Sequence, residues 1–438
     1  MRAVSQHSNS TGTGGAHARA ALTLASLLAW AALQIVPGGC TPKPSSVSML
    51  SAPHAPAAEA GSPAIACDPV KHDVLMSWLA GDSTEWRIWF SRSSDRGASW
   101  STPVAVSPPG EPLRRRREAS PRMVCDGEGH VGIAWATSVS VPGWSAPASD
   151  LRFARSIDGG AHWEAPVTVN DDTANGPGNH AFHDVAMRAG GNLSAAWLDS
   201  RPGADSLDFD RADGADASVH FARSGDFGAH WGPNSAQWSH VCSSCRVSLV
   251  VDPAGFMYAA FRKRYPGDIR DIVLARPGGP PVRAHEDGWH LDYCPQAGPS
   301  LALSRDGTLR VAWYTGAPGR VGVWFRQGLP ERMDSTVAPI AVLLGDKLPV
   351  VRIGIAEAGM SGTLIACDAD STGGNQLTLA RIEASGRRLV ERFVVPDTRG
   401  VTHPRVASTF AGRTAYVAWT SHVGARTELR FARWDVGR

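Results

Sequence analysis

The chain has almost no charge imbalance: 43 lysines and arginines stand against 41 aspartates and glutamates, a formal net charge of +2 over 438 residues. No broad electrostatic field results, which argues against a partner held through phosphates and so against nucleic acid. After residue 36 no apolar run is long enough to span a bilayer. Tyrosine is scarce at five residues, and cysteine at seven. Against these shortages stand 46 glycines, 31 prolines and 16 tryptophans. That mixture suits many short strands joined by tight turns and argues against helices. The length would allow more than one domain, but closed β folds of this size occur as one.

The first residues have an organisation of their own. Arg2 and Arg19 precede the apolar stretch "AALTLASLLAWAALQIV" (20–36), and no acidic residue comes before it. Residues 1–39 therefore read as an export signal. The stretch ends at "PGGC", which makes Cys40 the candidate lipidation site of a bacterial envelope lipoprotein. An ordinary cleaved signal with an incidental cysteine is the alternative, and Pro37 stands where a leucine-like residue is usual. Residues 40–61, rich in Pro, Ser and Ala, read as a flexible tether, with the folded part at 62–438. This places the protein in the periplasm or at the outer membrane, touching the bilayer through a lipid anchor only.

One short pattern recurs: "RSSDRGASW" (92–100), "RSIDGGAHW" (155–163) and "RSGDFGAHW" (223–231). Each follows an alternating strand, "IWFSRS", "LRFARS" or "VHFARS", and four cousins lack the box: "IVLARP", "VWFRQG", "LTLARI" and "LRFARW". Ahead of each lies another strand ending in a bulky residue, namely Trp78, Trp135, Trp197, Phe261, Trp313, Cys367 and Trp419. These residues recur every 52 to 64 positions. Period-2 alternation with regular turn signals predicts antiparallel meanders of four strands. Such a unit buries only one face against its own neighbours, so copies must pack radially as an all-β propeller. Seven blades are expected, or six if 347–398 does not form its own. The last copy (401–436) offers three strands, and "SVSML" (46–50) is the candidate fourth that closes the ring. In the boxes, Asp95, Asp158 and Asp226 fall on the turn after the third strand. There a carboxylate can accept turn N–H groups, the Gly can take positive φ and the Trp can pack back on the sheet. They read as fold residues.

The boxes and the repeat resemble those of the sialidase superfamily, also called Asp-box or BNR-repeat proteins, over roughly 62–436. The chain is also similar to bacterial sialidase-like proteins with a cysteine-rich, arginine-ended blade entry, here "CSSCR". The resemblance implies a propeller with its site on the face opposite the boxes. It further implies an arginine group that holds a sugar carboxylate, for which Arg122, Arg246 and Arg405 are the candidates, with Arg352 a fourth. Guanidinium forks suit that task because they bind a carboxylate bidentately. Retaining members use a Tyr nucleophile and an Asp acid, which points to Tyr314 (or Tyr293) and to Asp199 (or Asp184). The family's Phe/Tyr-Arg-Ile-Pro motif is missing: "SPAIACD" puts Ala64 where its Arg would stand. The expected partner is an anionic carbohydrate or sugar acid recognised at the axial mouth. Whether it is hydrolysed, in exo-sialidase fashion, stays open.

A different reading rests on sulfur. Cys242, Cys245 and Cys294 open adjacent repeats, and His180, His183 and His240 come from the same face. No cofactor is required by the first reading, but a set of Cys242, Cys245, Cys294 and His183 would suit copper or zinc. A disulfide within the cysteine trio is the alternative. On that view the protein is a non-catalytic envelope propeller that binds metal or a partner. Cys67, Cys125 and Cys367 read as buried structural thiols.

Overall fold

The structure, a computed structural model, describes residues 44–438 apart from 116, 145–146, 202–216, 333–336, 347, 410–411 and 438. Cys40 and the expected signal lie outside the described residues. Within them the regular structure is strand, with four short 3-10 turns and no α-helix. Five antiparallel sheets have four strands each and a sixth has eight. The sheet of Arg122–Cys125, Val131–Ala136, Leu151–Ser156 and Val167–Thr168 shows the pattern: strands pair in chain order, each with the next. The eight-stranded sheet is two such meanders, 179–241 and 248–283, joined by one pairing, Val241 with Lys263.

First strands lie against one another in cyclic order. Glu59–Cys67 neighbours Arg122–Cys125, and the sequence runs on to Val401–Ser408, which returns to Glu59–Cys67. The outer strand of the last sheet comes from the other end of the chain. Ser46–Leu50 pairs antiparallel with Arg426–Asp435, setting Val47 opposite Trp434 and Leu50 opposite Phe431. Part of the stretch expected to be a tether (40–61) is therefore strand. Its alternating Val47, Met49 and neighbours satisfy the backbone groups of an otherwise open edge.

The bulky residues expected to end the second strands lie mostly inside them, because the strands run on past them, and they pack between sheets. Trp78, Trp135, Trp197, Phe261, Trp313, Cys367 and Trp419 are all buried. The Asp boxes work across sheets as well as within turns. In each, a Ser hydroxyl donates to the Asp carboxylate and accepts the N–H of the box glycine (Ser156 Oγ to Asp158 2.8 Å, Gly160 N to Ser156 Oγ 2.9 Å). The box Trp also reaches the preceding sheet. Trp100, Trp163 and Trp231 each meet edge-on a Phe of the preceding sheet: Phe431, Phe90 and Phe153, at 5.2–5.3 Å between ring centres. Gly160 lies against that same ring; a Cβ there would come within 2.0 Å of Phe90, and its φ is +91°. Each box thus clips one sheet to its predecessor, an edge-to-face pair worth about 0.5–1.5 kcal/mol beyond its buried area. Because strands alternate in direction, the boxes sit at the end where first strands finish. The starts of the first strands open at the other end.

Candidate functional site

The starts of the first strands carry an arginine cluster whose placement follows from register. One position in every first strand pairs with the residue just before the bulky one: Ala64, Arg122, Asp184, Ser248, Ser300, Gly354 and Arg405. Arg122 and Arg405 therefore share one position of the repeat, while Arg246 and Arg352 precede it by two residues. In three strands a bulge comes just before this position, with positive φ at Ser62, Phe182 and His403. Such a kink re-aims the following side chain, here Asp184 and Arg405. Glycine allows the strands to approach: a Cβ at Gly298 would lie 2.2 Å from the Arg246 carbonyl.

All four arginines are buried or nearly so, and they share too few carboxylates. Arg122 Nε lies 3.7 Å from Asp184, which also accepts from Ser248 Oγ (3.2 Å) and the Leu249 N–H (3.0 Å). Arg352 lies 3.6 Å from Asp368 and receives Glu118 at 3.9 Å, while the other oxygen of Glu118 lies 3.7 Å from Arg246 Nε. That Glu118 oxygen also accepts the Gly298 N–H at 3.1 Å. Arg246 Nη2 donates to Ser300 Oγ (3.2 Å) and Arg405 Nη1 to the Pro404 carbonyl (3.1 Å). Among the described residues, four guanidiniums thus face three carboxylates. Burial and the positive charges of Arg246 and Arg405 hold Arg122 well below the usual arginine value, and burial with the charge of Arg246 lowers Arg405 to about 10. Burial raises Asp368 to about 6 against the pull of Arg352. Nε of each of the four arginines, and Nη2 of Arg122, is buried without a hydrogen-bond partner. The arrangement is a set of desolvated donors with a surplus of positive charge, able to receive one further anion.

The remaining expected residues fall elsewhere. Tyr314 is a core side chain: its hydroxyl donates to the Leu348 carbonyl (3.4 Å) and its ring meets Trp289 edge-on at 5.5 Å. Burial pushes its phenol up, and among the described residues no carboxylate is hydrogen-bonded to it to activate it as a nucleophile. Tyr293 is exposed. Asp199 belongs to a separate buried group: it accepts from Trp197 Nε1 at 2.8 Å and from Arg201 Nε at 3.2 Å. His180 Nε2 lies 3.1 Å from Asp172 and 3.6 Å from Asp199. Burial opposes charge on His180, but the two carboxylates outweigh it and raise its pKa. Asp199 is thus an acceptor held in place by Trp197 and Arg201. His183 is not with the cysteines. Its Nε2 donates to the Ala134 carbonyl (3.1 Å), and burial beside Arg122 lowers it to about 4.

The cysteine trio does assemble. Cys242, Cys245 and Cys294 place their sulfurs 3.1, 3.6 and 3.6 Å apart, buried, with Arg270 Nη1 3.2 Å from the Cys242 sulfur. Burial opposes ionisation of Cys242, but the neighbouring S–H donors and the Arg270 and Arg262 guanidiniums hold it well below the usual thiol value. Two other groups have metal-like spacing among the described residues. In Asp172–His180–Asp199 the Arg201 guanidinium already supplies the cation, and Asp126–Glu128–His130 sits on a turn closed by its own hydrogen bonds. Cys67 and Cys125 are half-buried and Cys367 fully so; burial raises all three thiols, Cys125 to about 12.

Two participants escaped sequence reading. Glu118 lies in "RRRREASPR", which shows as a charged loop, and Asp172 lies in an irregular stretch between sheets; neither has a periodic signal.

Residues 75–275 match a family model described as a BNR repeat-like domain. A comparison with curated protein sequences finds no match. Among solved structures, the chain is similar to a protein of unknown function from Dyadobacter fermentans DSM 18053, at 13% identity and TM-score 0.51, covering 89% of this chain and 99% of that one. It is also similar to Trypanosoma rangeli sialidase, at 11% identity and TM-score 0.47, covering 89% of this chain and 59% of that one. A third is a Penicillium chrysogenum alpha-L-arabinanase complexed with arabinobiose, at 14% identity and TM-score 0.47, covering 90% and 98%. At such identities the likeness is one of fold, and chemistry has to be argued from this chain's own side chains. With its Asp boxes and its sheets in cyclic order, the segment 75–275 carries a BNR repeat-like domain.

Proposed function

We propose that this chain is a seven-bladed propeller whose arginine-lined mouth binds the carboxylate of an anionic sugar or sugar acid without cleaving it. The count divides the eight-stranded sheet at its single Val241–Lys263 pairing. One observation carries the ligand class: Arg122, Arg246, Arg352 and Arg405 converge buried on three carboxylates, with Nε–H groups left without acceptors. A ligand carboxylate would satisfy those donors and balance the surplus charge, and planar forks select it over a point anion. Turnover finds no support, because Tyr314 is a core residue and Asp199 is tied to Arg201 and Trp197. The same reading has the chain exported and anchored through Cys40.

Titration calorimetry with N-acetylneuraminic acid and with glucuronic acid, beside a fluorogenic sialoside assay, tests this. Arg246→Ala should weaken sugar-acid binding by about 2–5 kcal/mol, since a carboxylate left without its fork is costly. No sialoside turnover is expected. Turnover abolished by Tyr314→Phe would replace the binding reading with a hydrolase. Identical titrations of the parent and Arg246→Ala would remove the mouth from the account.

A further inference from the structure

The sulfur cluster is not part of the arginine mouth, and its surroundings define a chemistry of their own. Cys242 and Cys245 come from one turn, closed by the Cys245 N–H donating to the Cys242 carbonyl at 3.3 Å, and Cys294 arrives from the loop before the next sheet. All three are buried, their sulfurs in mutual contact. Two buried guanidiniums stand beside them. Arg262 donates to the carbonyls of Arg270, Ala297 and Tyr314, and Arg270 to that of Leu291 and to the Cys242 sulfur. Among the described residues neither pairs with a carboxylate. Two buried positive charges without a carboxylate are costly, so the sulfurs are the available counter-charge. A disulfide between any two of them would abolish most of that charge and leave the guanidiniums uncompensated.

We propose that Cys242, Cys245 and Cys294 form a binding site for one soft monovalent metal ion, copper(I) or silver(I), held by three sulfurs. Donor type disfavours the hard cations, because among the described residues the grouped ligands are three sulfurs with no carboxylate. Charge separates copper(I) from zinc. Three thiolates around a monovalent ion carry two negative charges, which Arg262 and Arg270 match; a divalent ion would leave the buried site positive. Zinc also prefers four protein ligands in a closed site, and His183, the expected fourth, points to Ala134 instead. Metal–sulfur bonds near 2.3 Å put trigonal sulfurs about 4 Å apart, so the two pairs at 3.6 Å need open by only about 0.4 Å and the Cys242–Cys294 pair, at 3.1 Å, by about 0.9 Å. Binding releases the thiol protons to solvent, and Cys294 follows the exposed Tyr293, giving the ion a short way in.

The test uses the full chain, reduced and handled without oxygen, titrated with copper(I) against a chromophoric competitor and separately with silver(I). One ion per chain is expected, with X-ray absorption showing three sulfur neighbours and no light scatterer. Cys242→Ser, Cys245→Ser and Cys294→Ser should each weaken binding about 100-fold or more, while Cys67→Ser/Cys125→Ser leaves it unchanged. Arg270→Gln, which touches a ligand but is not one, should cost about 10–100-fold. If a serine variant fails to fold by circular dichroism, stoichiometry and absorption on the parent chain still decide. Zinc bound more tightly than copper(I), coordination by fewer than three sulfurs, or binding lost with Cys67 and Cys125 would overturn the proposal. So would an intact disulfide within the trio that, once reduced, yields no copper(I) binding. None of these outcomes bears on sugar-acid binding at the mouth.

Discussion

Replacing Glu118 by Gln removes one charge from the centre of the arginine cluster while keeping the side chain's shape. The Glu118 carboxylate lies 3.7 Å from Arg246 Nε and 3.9 Å from Arg352 Nε, almost wholly buried. At an effective dielectric near 20, each pair is worth about 4–5 kcal/mol of Coulomb attraction. Much of that offsets the desolvation of three ions. The amide oxygen can still accept from the Gly298 N–H, so the hydrogen bond survives. What remains is the cost of leaving buried guanidiniums uncompensated, about 3–5 kcal/mol. Urea denaturation at neutral pH of the parent chain and Glu118→Gln, each with and without glucuronate, measures it. The variant should lose stability by that amount and regain more than the parent does on adding glucuronate. At 100 times its dissociation constant, a ligand bound only to the folded state restores about 2.7 kcal/mol. Equal stabilities would refute the charge-balance reasoning. A loss that glucuronate relieves no better than sodium chloride would refute the cluster as a carboxylate receiver.

Other expectations follow from single contacts. His183 is held neutral, lowered to about 4, so the unfolded chain binds the extra proton; stability is full above about pH 6.5 and falls as pH drops toward 4, by up to about 3 kcal/mol. In His183→Gln that acid-side slope should flatten, and denaturation at pH 7 and pH 5 checks it; an unchanged slope assigns it elsewhere. Gly160→Ala should cost at least about 2 kcal/mol, from a non-glycine residue at positive φ together with the contact to Phe90, and a cost below about 0.5 kcal/mol would refute the clip between sheets. Deleting Ser46–Leu50 uncovers the outer strand Arg426–Asp435, so the truncated chain should lose stability and aggregate at its new edge; light scattering and denaturation should both register this. A truncated chain as stable and monodisperse as the parent would show that closure does not depend on the N-terminal strand.

Much of the architecture was legible in the sequence because it is local and repeated. Alternation of period two fixes which residues face the packing between sheets, and the turn chemistry of Ser156, Asp158 and Gly160 needs nothing beyond its own nine residues. The recurrence of Trp78, Trp135, Trp197, Trp313 and Trp419 specifies copies that must pack on one another. It also placed Arg122, Arg246, Arg352 and Arg405 at strand starts, where they are found together. The tertiary structure decided everything that depends on which copy lies beside which. Trp163 clips the preceding sheet through Phe90, which sits 73 positions earlier in the chain. Glu118 enters the arginine cluster from a loop with no pattern to announce it. Tyr314 and His183 sit in strands of the expected face, yet alternation sends Tyr314 against Trp289 and His183 toward Ala134. Sequence sets the type and spacing of side chains; only the closed arrangement of sheets sets which of them share a dielectric, and that decides which are charged, paired or left waiting for a ligand.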